Sequence, residues 1–233
     1  NFISDIITGN GSDWMYQIVA NKKSGLDVDK MDYLVRDAKV IGLDLNIQNI
    51  YRLINSAKIV DGNIVFPQKS FYINTIFDLF ETRFKLHKKL YQHPTVRAIE
   101  LMMIKAFQEY NRVNQCWTLS SLKGPVHLFE PKSYLRLDDS IFDTIMFEES
   151  YGSEHLKNIK MRRLFKMVNK KEEGDIEDQS AFSFNSSRTN PMDSIYFYDD
   201  YDICTVADEK EYNVPISYSE DVYRVYRPFS KEE

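Results

Sequence analysis

Residues 27–42 read DVDKMDYLVRDAKVIG, and their spacing predicts an amphipathic helix from about Asp29 to Ile41. Leu34, Val35, Ala38 and Ile41 recur at helical intervals, and Gly42 supplies the stop. Asp29, Tyr33 and Asp37 stand at i, i+4 and i+8, so a carboxylate, a phenol and a second carboxylate share one stripe, with Lys30 one position round. Two readings fit this stripe. Acidic groups near a helix N-terminus favour the dipole and cap free amides. Carboxylates are also good oxygen ligands for magnesium or manganese.

The longest helical pattern lies downstream, from about Ser70 to Gln92, with Ile73, Ile76, Phe77, Phe80 and Phe84 on its apolar face. It ends in RFKLHKKLYQH, residues 83–93, where Arg83, His87 and Tyr91 align at i, i+4 and i+8 and Lys85, Lys88 and Lys89 add charge. A guanidinium binds phosphate oxygens through a fork of donors, an imidazole bonds or moves protons, and a phenol stacks on a sugar or base. A solvated charged face is the alternative reading.

Between these segments the pattern predicts a helix over Ile47–Ala57 and a hairpin over Lys58–Phe66 turning at Asp61-Gly62. Upstream, Phe2, Ile3, Ile6 and Ile7 mark a helix and Trp14–Asn21 a short amphipathic stretch. Pro94 opens a further helix to about Val113, Pro125 and Pro131 bound a loop, and shorter helices follow near Asp139–Glu148 and Glu154–Arg163. Leu164–Val168 reads as a strand. The charge run Lys170–Glu173 and the polar residues to Asn190 predict a mobile loop, and Ser194–Tyr198, Tyr201–Ala207 and Val222–Tyr226 are β-like runs. The fold expected is mainly α: a helical body over residues 1–168, a polar loop over 169–190 and a small α+β lobe over 191–233.

Composition bounds the function. With 233 residues, 43% hydrophobic, the chain can bury a sizeable core, and 15 Tyr and 15 Phe against 8 Gly suit packed helices. A formal charge of −5 argues against general adhesion to nucleic acid or anionic membrane, so any anion site must be local. Cys116 and Cys204 stand far apart, which indicates neither a disulfide framework nor a structural zinc site and suits a reducing compartment, nuclear or cytoplasmic. No apolar run approaches the roughly 20 residues that span a bilayer, so no membrane partner is expected.

IVANKKSGLDVDKMDYLVRDA (18–38) followed by FETRFKLHKKLYQH (80–93) resembles the HD-superfamily dNTP triphosphohydrolases of the SAM-and-HD-domain type, with weaker matches at LDDSIF (137–142), MRRLFK (161–166) and NPMDSIYFY (190–198). The resemblance implies an HD-type helical body and hydrolysis of a dNTP to deoxynucleoside and triphosphate. In that family a divalent metal (Mg, Mn, Fe or Zn) is held by a His, a His-Asp dyad and a later Asp; the last corresponds to Asp29. The resemblance further implies that Lys30, Tyr33 and Arg83 hold the triphosphate, that Asp37 binds the sugar 3′-hydroxyl, that Tyr91 crowds the 2′ position, and that His87 and Gln92 line the pocket. Activating GTP or dNTP bound between subunits of a homotetramer would meet Lys58, Lys89, His93, Arg162 and Lys166.

The chain also departs from that pattern. It has no His-Asp dipeptide, and its four histidines, His87, His93, His127 and His155, all follow Asp29. The predicted catalytic residues are therefore none within this chain, which reads as a C-terminal portion with an incomplete helical body, inactive alone; its opening on Asn1 reads as a fragment boundary. The hairpin is shorter than its family counterpart, and Pro94 stands where a basic residue is expected. Two other functions compete: a non-catalytic nucleotide-sensing or assembly module, and single-stranded nucleic-acid binding by the face 83–93.

Overall fold

The computed structural model describes residues 2–43, 45–114, 138–147, 151–201 and 204–229. Helices α1 (Phe2–Thr8) and α2 (Tyr16–Val19) lead into α3 (Val28–Ile41). Asp27 caps α3, its carboxylate accepting the Lys30 backbone N–H at 3.0 Å, and Gly42 ends it at a φ of 72°. Helix α4 (Ile47–Asn55) is capped by Asn46, which accepts the Gln48 N–H at 2.9 Å. Strands β1 (Lys58–Val60) and β2 (Asn63–Pro67) pair antiparallel, and Asp61 and Gly62 turn between them at φ 47° and 70°, as the Asp-Gly dipeptide predicts.

Helix α5 (Ser70–Leu86) does not run unbroken to Gln92. It passes into a π-helical turn, His87–Tyr91, in which the Gln92 N–H reaches back to the His87 carbonyl at 2.9 Å. Next come α6 (Pro94–Asn114), α7 (Ser140–Phe147) and α8 (Ser153–Lys160), then β3 (Lys166–Val168), β4 (Ile176–Ser183), β5 (Phe197–Tyr198), β6 (Cys204–Thr205) and β7 (Ser219–Arg227). The protein is thus mainly α with a small strand-bearing part. The predicted loop around Pro125 and Pro131, and Cys116, lie outside the described residues.

The chain forms two compact units: Asn1–Gln92 with Ser180–Val222, and His93–Gln179 with Tyr223–Glu233. In the first, α3, α4 and α5 bury Leu34, Leu53, Ile73, Ile76, Phe80 and Leu86 with Phe197 of β5. Its sheet runs β1-β2-β5-β6, with β2 parallel to β5. Gln17 of α2 completes the edge of β2, donating to the Gly62 carbonyl at 3.1 Å and accepting the Ile64 N–H at 3.2 Å. In the second unit Ala106, Tyr110, Ile145 and Leu156 join α6, α7 and α8, while Ala98, Met102, Phe165 and Tyr226 form a neighbouring cluster.

One predicted element is corrected. Within the segment 169–190, expected as a mobile polar loop, Ile176–Ser183 is strand β4, and its buried side chains alternate at Asp178, Ser180 and Phe182. Polar residues occupy two of these three inward positions, which hid the period from hydropathy. The Asp178 carboxylate is buried because Arg97 neutralises it, at 2.5 Å. Among the described residues no helix is long and apolar enough to cross a membrane.

Candidate functional site

The two polar stripes face each other in the first unit, where α3 packs on α5. At one end Tyr33 of α3 lies beside the Arg83 guanidinium of α5, near enough for the cation to offset part of the rise that burial causes in the phenol. At the other, the Tyr91 hydroxyl of the π-turn donates to the Asp37 carboxylate of α3. His87 lies between Arg83 and Tyr91 in sequence, its ring edge-on to Tyr91 with centroids 5.1 Å apart. Tyr33, Asp37, Arg83, His87 and Tyr91 thus share one seam; Lys30 stands in the first turn of the same helix, its ammonium paired with Asp27 at 3.0 Å. Asp29, in the first turn of α3, is exposed.

Electrostatics in the seam follow from burial and from two cations, Arg83 and, beside Asp37 and Tyr91, Arg36. Arg83 is half-buried, and its Nη1 donates to the Ser183 carbonyl of β4. Its partners, a carbonyl and a phenol, are both neutral; among the described residues no carboxylate forms an ion pair with it. That charge has consequences for its neighbours. Burial, and then the Arg83 charge, push the His87 imidazole down to about 4, so it is neutral near pH 7. Burial raises the Tyr33 phenol and Arg83 partly offsets the rise. The Tyr91 phenol is raised further, by burial and by its bond to Asp37.

Gln92 closes the end of the seam: its Nε2 donates to the Ala181 carbonyl at 3.2 Å, while its Oε1 is buried without a hydrogen-bond partner. Ala181 and Ser183 are contributions that sequence reading missed, since they act through backbone carbonyls of a segment taken as a loop. The alternation ending in Phe182 and Phe184 was the available signal. Asp27, which the stripe of Asp29, Tyr33 and Asp37 leaves out, proves to be the cap of α3 and the partner of Lys30.

The basic character of 83–93 is weaker than its sequence suggests. Lys85 pairs with Glu81 at 2.5 Å and Lys88 with Glu220 at 2.6 Å. The predicted second-site residues fall in both units: Lys58 and Lys89 in the first, His93, Arg162 and Lys166 in the second. Lys58 lines a cavity of about 410 Å³ with Lys69, Tyr72, Tyr198 and Asp199, and its ammonium stands 4.3 Å from the centre of the Tyr198 ring. Lys89, His93, Arg162 and Lys166 are exposed.

Another cavity in the first unit, about 470 Å³, is lined by Gln17, Asn21, Lys23, Asn63, Phe66 and Asp193 among others and contains none of the seam residues. Its polar groups bond one another, as Lys23 Nζ does with Asn63 Oδ1 at 2.8 Å, whereas the seam holds a cation without a counter-charge. The seam is therefore the better candidate for binding an anion.

For a divalent metal the fit is incomplete. Among the described residues no three of His, Cys, Asp or Glu come together to hold one. Asp29 offers an exposed carboxylate, but a single ligand cannot fix a catalytic ion.

A family model described as "HD associated region" matches residues 49–196. The chain belongs to the HD-associated-region family. Proteins of similar sequence carry an activity in their names. The chain is 34% identical over 175 residues to the deoxynucleoside triphosphate triphosphohydrolase SAMHD1 homolog of Dictyostelium discoideum, covering 72% of this chain and 32% of that protein. It is 29% identical to deoxynucleoside triphosphate triphosphohydrolase SAMHD1 of Gallus gallus, covering 91% of this chain and 42% of that protein. To the Homo sapiens protein of the same name it is 31% identical, over 66% of this chain and 26% of that one. The chain spans a quarter to two fifths of the length of these relatives.

Proposed function

We propose that the protein to which this chain belongs is a metal-dependent dNTP triphosphohydrolase, releasing triphosphate from a deoxynucleoside triphosphate, and that this chain supplies the wall of the site that grips phosphates and sugar. The observation that carries this reading is Arg83, a half-buried guanidinium without a carboxylate, set opposite the hydroxyls and carboxylates of α3. The relatives' names support the same substrate class.

In this reading Arg83 and Lys30 receive the phosphate oxygens and offset the charge that grows on them as the bond to the nucleoside breaks. Tyr33 steadies Arg83. Asp37 takes the sugar 3′-hydroxyl, and the Tyr91 ring, fixed by its bond to Asp37, leaves little room for a 2′-hydroxyl. His87, neutral near pH 7, serves as a hydrogen-bonding wall, not a second cation. A divalent metal (Mg, Mn, Fe or Zn) would supply an activated water; Asp29 is one donor toward it, the described residues do not complete its ligand set, and the chain alone is expected to be inactive.

Control by GTP or dNTP binding between subunits of a tetramer is part of the proposal, with Lys58, Lys89, His93, Arg162 and Lys166 as contacts. The cavity beside Lys58 offers it a place, with Lys58, Lys69, Tyr72 and Tyr198 in a lining that also holds Asp199 and Asp200. The test is hydrolysis of each dNTP by the complete protein with magnesium or manganese, read as released inorganic triphosphate. Arg83→Ala is expected to lower turnover by roughly a hundredfold, the usual cost of losing one charge-stabilising donor. Wild-type turnover in that variant, or no triphosphate from any dNTP with the unaltered protein, overturns the reading.

A further inference from the structure

Two donors of the seam are tied to the same edge of β4. Arg83 Nη1 donates to the Ser183 carbonyl, and Gln92 Nε2 donates to the Ala181 carbonyl at 3.2 Å. Carbonyls two residues apart on a strand point the same way, so 181 and 183 present a pair of acceptors along one line. The position of that line is set by aromatic packing next to Arg83 itself. Phe84 lies against the Phe184 ring, centroids 5.2 Å apart and planes 28° apart, and meets Phe182 edge-on at 6.4 Å. Phe182 and Phe184 are both buried, and Phe184 is further fixed by its N–H, which donates to the Tyr218 carbonyl at 3.0 Å.

An arginine has five N–H donors in a rigid fork. The Ser183 carbonyl holds one arm of the fork, with the Tyr33 phenol beside it, while leaving other N–H groups for a ligand. Neither acceptor neutralises it. A carboxylate in their place would orient Arg83 equally well but would cancel the charge an anion needs. Gln92 is held in the same manner: its amide N–H₂ is tied to β4, and its buried Oε1 keeps its accepting capacity.

We propose that residues 181–184, the end of β4 and the residue after it, are a positioning element for the anion site, the Ala181 and Ser183 carbonyls orienting Gln92 and Arg83 and the Phe182 and Phe184 rings, clamped on Phe84, setting where those carbonyls stand. The proposal rests on the reading of Arg83 as a phosphate ligand, and it assigns to β4 a role in affinity, not only in the core. Loosening the clamp without removing any polar group then weakens anion binding and moves Arg83 away from His87.

The experiment takes the 233-residue chain, Phe182→Leu and Phe84→Leu, and measures two quantities: the affinity for inorganic triphosphate by calorimetry and the titration of His87 by NMR. Folding of each variant is checked by circular dichroism, and the half-buried Phe84 serves where Phe182→Leu fails to fold. The expected result is affinity lower by about tenfold, the effect of misorienting one charge-assisted hydrogen bond, together with a His87 pKa moving up from about 4 toward the usual 6.5. A folded variant with wild-type affinity and unchanged His87 titration overturns the positioning role. Failure of the unaltered chain to bind triphosphate counts against the functional reading instead, and NMR of the Arg83 side-chain N–H groups in the folded variants, shifted or unshifted from the wild type, then decides the role of β4.

Discussion

The Tyr91 hydroxyl donates to the Asp37 carboxylate, joining the π-turn to α3 across 54 residues of sequence. Both side chains are partly buried, so the bond forms where water competes poorly for either group. It also depends on the π-turn: the extra residue in that turn sets where Tyr91 stands relative to Arg83, which an unbroken α-helix would place differently.

Tyr91→Phe keeps the ring and removes the donor. It is expected to lower stability by about 0.5–1.5 kcal/mol, the net worth of one hydrogen bond, because Asp37 keeps Arg36 at 3.6 Å; the measurement is urea unfolding at pH 7. Burial and Asp37 hold the phenol protonated above its ordinary 10.0, so this contribution is complete below pH 10.0 and falls as the pH rises further. A variant as stable as the wild type would show that water already satisfies Asp37.

The helices of the seam were legible because their apolar spacing, the Gly42 stop and the Asp61-Gly62 turn all agree with the backbone found. That the two stripes meet could not be read from spacing, which orders residues on one helix and says nothing of which helix packs on it. β4 was missed for a specific reason. Its inward positions include Asp178 and Ser180, polar groups whose burial is made tolerable by tertiary partners, and periodicity in hydropathy vanishes when partners do that work. The π-turn was missed likewise, since nothing in HKKLY departs from α-helical composition.

His87 ties stability to pH. Its folded-state pKa is depressed to about 4 from 6.5, so the unfolded chain binds a proton more readily between those values. The contribution of the neutral, buried imidazole is therefore present above pH 6.5 and lost as the pH falls toward 4. Urea midpoints recorded from pH 7 to pH 4.5 are expected to fall less steeply for His87→Asn than for the wild type, because the variant has nothing to titrate there. Equal slopes would mean that the imidazole is solvated and unperturbed.

In the second unit the costliest single truncation is expected at Asp178. Its carboxylate is 3% exposed and is held by Arg97 through two bonds, Nη2 to Oδ1 at 2.5 Å and Nε to Oδ2 at 3.3 Å. Arg224, itself 9% exposed, approaches Oδ2 at 3.8 Å. Removing the acid leaves two guanidinium groups facing the vacated space. Arg97 retains Glu100, with which it also pairs, but Arg224 lies too deep to recover full hydration. Asp178→Ala is thus expected to cost about 3–5 kcal/mol, well above the cost of deleting an exposed pair such as Lys171–Glu177. Adding Arg97→Met to the same chain should recover part of that loss, because it withdraws one of the two guanidinium charges that face the vacated space. The measurement is a double-mutant cycle on unfolding free energy. Additive losses would show that the two side chains do not depend on each other.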